Sequence, residues 1–136
     1  MSTEGCVSIG IAIVSLLVAA FTWYHTHQKR KYEVADQLLS ELHRLAITYP
    51  QFRNPEACVS ALTSTDMVVR YRYDAYAVLV WNYLETLYDT YGTKLNKTPF
   101  YGAMLDLGTR HRQWLFTANN LSFYNHKLIK FLQVER

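Results

Sequence analysis

A chain of 136 residues, half of them hydrophobic and 15% aromatic, carries too much apolar side chain for a disordered segment and is long enough for one modest core. Its formal net charge of +3 is too small to imply a nucleic-acid-binding face, which needs clustered Lys and Arg rather than a slight excess, so no nucleic acid is expected among its partners. Five Gly and three Pro are too few for many short strands with tight turns, and a few long helices are expected instead.

The charge is unevenly spread. Before Tyr24 the only charged side chain is Glu4, whereas all 14 Lys and Arg follow it. Residues 7–24, VSIGIAIVSLLVAAFTWY, carry no charge and would make about 27 Å of helix at 1.5 Å per residue, so they predict one transmembrane helix. A cleaved signal peptide fits less well, because Ser-Thr-Glu-Gly stands where a basic n-region belongs and no small-x-small cleavage site follows. A core helix would show a stripe of strongly polar side chains, whereas this run offers small hydroxyls such as those of Ser8 and Ser15. Trp23 and Tyr24 suit the headgroup zone, and the basic residues Lys29, Arg30 and Lys31 behind them suit anionic lipid on the cytosolic side. Residues 1–6 are then a short translocated N-terminus, residues 7–24 the span and residues 25–136 a cytoplasmic helical domain at the plasma membrane of a bacterium. Ser8, Ala12, Ser15 and Ala19 form a strip of small residues on which a second helix could pack, from another membrane subunit or another copy.

Cys6 and Cys58 lie on either side of the span, so no disulfide framework is expected. Thr-Glu-Gly precedes Cys6 where a lipoprotein signal would be apolar, which argues against lipidation.

No Gly or Pro interrupts residues 11–49, so the first helix is expected to continue into an amphipathic stretch with Val34, Leu38, Leu42, Leu45 and Tyr49 on one stripe, ended by Pro50. Asn54-Pro55-Glu56 is a cap, a first-turn proline and an acid, opening a short helix over 55–62. The longest element after the first should cover 66–91, stopped by Gly92, with Val69, Tyr73, Tyr76, Val80, Tyr83 and Leu87 inward and Asn82 needing a partner. Thr98-Pro99 opens a helix to about residue 118 with Met104, Leu107, His111, Trp114 and Leu115 inward. A last helix over 122–134 turns Leu121, Tyr124, Leu128, Phe131 and Leu132 to the core. The expected fold is all-α, one N-terminal transmembrane helix continuing into a small soluble bundle of four to five helices.

The five histidines show no pair three or four residues apart, the spacing that sets two ligands on one helix face, so neither a metal site nor a haem is expected. In RYRYDAY, residues 70–76, Arg70 and Asp74 have the spacing of a helix ion pair. Arg70, Arg72, Tyr73 and Tyr76, with Arg110 and Arg112 on a later helix, are the candidate set for an anionic ligand or partner, against the plainer reading of tyrosines at a core edge. Glu85 with Asp89, and Asp106 with Arg110, share helix faces as ion pairs or solvated groups do. Cys58 with a distant histidine has nothing but composition behind it as a catalytic pair, and no phosphate-binding glycine loop exists, so no enzyme and no cofactor are expected.

The pieces Tyr49 to Arg53, Asn82 to Glu85 and Arg110 to Trp114 match a Tyr-Pro-x-Phe/Leu-Arg stretch, an Asn-x-Leu-Glu helix and a Trp-containing helix. In this layout the chain resembles bacterial single-pass membrane proteins of unknown function with a cytoplasmic helical domain, a resemblance that implies no activity. The expected role is a membrane-anchored accessory, scaffold or regulatory subunit acting through protein contacts, with an oligomerising membrane effector of the stress or phage-defence type as the alternative.

Overall fold

The computed structural model describes residues 3–99, 101–117 and 119–132, and their side chains from residue 11 onward. Among these residues all regular structure is helical. The α-helices are α1 (Thr3–Thr48), α2 (Pro55–Leu62), α3 (Met67–Tyr91), α4 (Tyr101–Arg110), α5 (Arg112–Leu115) and α6 (His126–Phe131), with 3-10 turns at Pro50–Arg53, Gly92–Lys97 and Asn120–Phe123. The all-α expectation holds, and α1 does run without a break past the basic cluster as the missing Gly and Pro imply.

The transmembrane part of the expectation is corrected. Among the described residues no helix is long and apolar enough to cross a membrane.

The chain divides into two compact units, Met1–Glu33 and Val34–Arg136. In the first, Ile11, Val14, Leu16, Leu17, Val18 and Phe21 are all at least 60% exposed. Its internal contacts are local: Thr22 Oγ1 donates to the Val18 carbonyl at 2.8 Å, the rings of Trp23 and His27 stack at 5.5 Å, and Lys29 faces Glu33 at 3.9 Å.

The second unit holds the core. Ala35 and Leu42 of α1 are buried in it. Pro50 begins the first 3-10 turn, which sends Phe52 into the core at 2% exposure, because the proline ring cannot continue the helix. The Asn54 side chain accepts from the Glu56 N–H at 2.9 Å and starts α2. Asp66 caps α3 in the same way through the Val68 N–H. This helix is the centre of the unit, with Tyr73, Tyr76, Ala77, Val80, Trp81, Leu84 and Leu87 buried. Gly92 ends it at φ +57, the left-handed region that a side chain would strain. Asn82 finds its partner in the Tyr124 hydroxyl, which donates to Oδ1 at 3.4 Å.

Two expected helices are shorter than their periodicity suggests. The helix expected from Pro99 to residue 118 breaks at His111, which has φ −102 and ψ 12 and carries its imidazole into the core. The indole N–H of Trp81 donates to the His111 carbonyl at 3.4 Å, tying the break to α3. The helix expected over 122–134 begins only at His126. Asn125 accepts from the Lys127 N–H at 2.9 Å as its cap, and the Glu85 carboxylate accepts from the Asn125 N–H at 2.9 Å.

Candidate functional site

Two neighbouring features of the second unit hold most of its polar chemistry. The first is a closed cluster of Cys58 from α2, Tyr73 and Tyr76 from α3, and His111 at the α4–α5 break. Its members come together because α3 turns Tyr73 and Tyr76 to one face and the helix break swings His111 against them, with ring centroids 5.9 and 5.4 Å away. The Tyr73 hydroxyl stands 3.2 Å from His111 Nδ1, and Cys58 Sγ stands 3.8 Å from the same nitrogen. The thiol itself donates to the Phe52 carbonyl at 3.2 Å. Nδ1 thus meets both the hydroxyl and the sulfur, while Nε2 is buried without a hydrogen-bond partner among the described residues.

Burial dominates the electrostatics of this cluster. It pushes the Cys58 thiol and the Tyr73 and Tyr76 hydroxyls up, and pushes His111 down to about 4, with the Arg110 charge adding to the last shift. Thiol and imidazole are therefore both neutral at pH 7. A Cys–His nucleophile needs a thiolate and a route for substrate, whereas Cys58 is 1% exposed and His111 fully buried. The spatial pairing of Cys58 with a histidine is real, but its environment is that of a packed polar core.

The second feature is open. A groove of about 760 Å³ runs between the 34–48 part of α1, α3 and α4. Leu39, Leu42, Ala46, Met104 and Leu107 supply apolar wall, and Tyr76 lies on its inner side. Polar groups enter from three elements: His43 on α1, Arg53 at the end of the first 3-10 turn, and Asp106 with Arg110 on α4. Arg110 Nη2 donates to Asp106 Oδ2, while Arg110 Nε is buried with no partner. Burial raises the Tyr76 hydroxyl, and the charges of Arg110 and Arg53 act against that shift.

Of the expected ligand set, the structure brings Tyr76 and Arg110 to this groove. Tyr73 is in the closed cluster. Arg72 lies over the Tyr49 ring at 5.7 Å and Arg112 over the Phe116 ring at 6.0 Å, as amphipathic cover for the core edge. Arg70 is exposed and forms no ion pair with Asp74, whose carboxylate accepts from the Trp114 indole N–H at 3.0 Å instead. The groove residues that sequence reasoning missed are His43 and Arg53. His43 is one polar position on an amphipathic helix, and Arg53 is turned toward α4 only by the 3-10 turn after Pro50.

In the first unit, Ala12, Ser15 and Ala19 are exposed on α1, and the Ser8 side chain lies outside the described residues, as does Cys6. Lys29 and Arg30 are exposed and Lys31 is half-buried. Among the described residues no three His, Cys, Asp or Glu side chains converge as a metal would require. Comparisons with family models, curated proteins and solved structures each found no match.

Proposed function

We propose that the protein is an accessory or scaffold subunit that acts through protein–protein contacts, attached by the apolar row of residues 11–24 and presenting its folded unit to a partner. The observation that carries this reading is the exposure of that row: Ile11, Val14, Leu16, Leu17, Val18 and Phe21 stand on a regular helix with between 60% and 72% of their surface open. Soluble monomers rarely leave so continuous an apolar patch in water, and covering it is favourable by about 25 cal/mol per Å². Ala12, Ser15 and Ala19 follow one another around the same face at three- and four-residue steps, so a partner helix can approach closely there. Lys29, Arg30 and Lys31 add positive charge directly after the row, which suits an acidic partner or anionic lipid headgroups beside the contact.

The test is the native mass and composition of the tagged full chain after gentle detergent extraction from the cells that make it. The expected result is a complex holding another protein in fixed stoichiometry. A monomer, or a homo-oligomer free of other proteins, overturns the accessory reading, and the homo-oligomer moves the oligomerising effector ahead of it.

A further inference from the structure

The groove of the second unit carries a proposal independent of the attachment just described. We propose that it binds a small amphiphilic anion, an acyl-type chain with a carboxylate or phosphate head, the chain along the α1 and α4 wall and the head between Arg53 and Arg110.

Size and lining fit such a ligand. A volume of about 760 Å³ falls within the range of small-molecule clefts, which are mostly apolar with a few convergent polar groups. Leu39, Leu42, Ala46, Met104 and Leu107 form the apolar side, and Leu39, Ala46 and Leu107 keep part of their surface open for a chain to cover.

The charge balance selects an anion. Asp106 is the one acid on the groove among the described residues, and its carboxylate is already matched by Arg110. Arg53 forms no ion pair among the described residues, so its charge is uncompensated. Arg110 brings a second guanidinium to the groove lining, one Nη of it donating to Asp106. His43 adds an imidazole at the rim, able to donate to the same head. An oxyanion head beside the arginines answers the unpaired Arg53 charge, which a neutral amphiphile would not do.

The experiment uses the full chain labelled at its methionine methyl groups with carbon-13, titrated separately with octanoate, octyl phosphate and octan-1-ol. Met104 lines the groove, whereas Met67 stands at the start of α3, outside it. The expected result is a saturable shift of the Met104 methyl with at least one of the two anions while Met67 stays in place, and the tighter anion identifies the head. Octan-1-ol should bind at least about tenfold more weakly, and Arg53→Gln should weaken the anion by about the same factor, as loss of a charged hydrogen-bond partner does. Arg110→Gln should act likewise, and the exposed Arg53 variant decides the matter should Arg110→Gln disturb folding. The proposal is overturned if neither anion saturates Met104, if octan-1-ol matches the anions, if Arg53→Gln leaves affinity unchanged, or if Met67 shifts in parallel, the sign of amphiphile adsorbing over the whole surface.

Discussion

The hydroxyl of Tyr73 stands 3.2 Å from Nδ1 of His111, joining the centre of α3 to the point where α4 gives way to α5. Around this contact Cys58, Tyr76 and the backbone of Phe52 close off water, and the consequences are measurable as stability.

Stability should fall as the solution is acidified through the histidine range. Folding holds His111 at about 4, below the 6.5 of an unperturbed imidazole, so between these values the unfolded chain binds a proton that the folded chain refuses. The contribution is fully present above pH 6.5 and is lost progressively as the pH drops toward 4, reaching about 3 kcal/mol. Urea unfolding at pH 7, 5.5 and 4.5 measures the slope. His111→Gln should flatten it over that window, and an unchanged slope would assign it to other groups.

Tyr73→Phe removes the hydroxyl and leaves Nδ1 dependent on the Cys58 sulfur at 3.8 Å, too long for a good partner. The expected cost is about 1–3 kcal/mol, read as a lower denaturant midpoint with an unchanged slope. A change under about 0.5 kcal/mol would mean that the hydroxyl is not what holds the imidazole.

Much of this core was legible in the sequence. Tyr73, Tyr76, Val80 and Leu87 were expected inward from their spacing and are buried, and the cap at Asn54 forms as its residue type dictates. Periodicity failed where distant side chains intervene. His111 continues an apolar stripe in perfect register, yet the helix breaks there, and the break is met by Trp81, thirty residues earlier, whose indole N–H donates to the His111 carbonyl. Arg70 and Asp74 have the spacing of an ion pair, but the indole of Trp114 takes the carboxylate. Hydropathy alone predicted a membrane-spanning helix over residues 7–24, whereas the described helix has no segment long and apolar enough to cross. The groove was hidden for the same reason as the helix break: His43, Arg53 and Arg110 are brought together only by packing.

The Cys58 thiol should be inert in the folded protein. It is 1% exposed and raised by burial, so it is neither reachable nor ionised. In a Cys6→Ser background, alkylation by iodoacetamide at pH 8 should be slower by orders of magnitude than in urea. Rapid native-state labelling would show that α2 opens far more often than its packing implies.

Asn119 holds φ 62 between α5 and the following 3-10 turn, a left-handed conformation that Asn tolerates and β-branched residues do not. Asn119→Gly should be close to neutral, while Asn119→Val should cost about 1–2 kcal/mol in thermal or chemical unfolding. Equal stability of the two variants would show that this turn relaxes to another backbone conformation.

On the apolar row, Leu17→Glu sets a charge amid residues whose exposure asks for cover. Native mass should drop toward that of the single chain, with the far-UV helix signal of the folded unit retained. A variant that keeps the wild-type complex would place the contact elsewhere.

The last helix begins on a residue of the longest helix of the core, since the Asn125 N–H is held by Glu85, and Leu128, Ile129 and Leu132 fill the interior from the far end of the described chain. During synthesis α3 therefore emerges well before the side chains that cover it. The Trp81 ring meets that of Tyr124, at 5.9 Å, only after forty-three further residues have been made, so this face of α3 is completed late and a chain stalled before that point exposes it to chaperones.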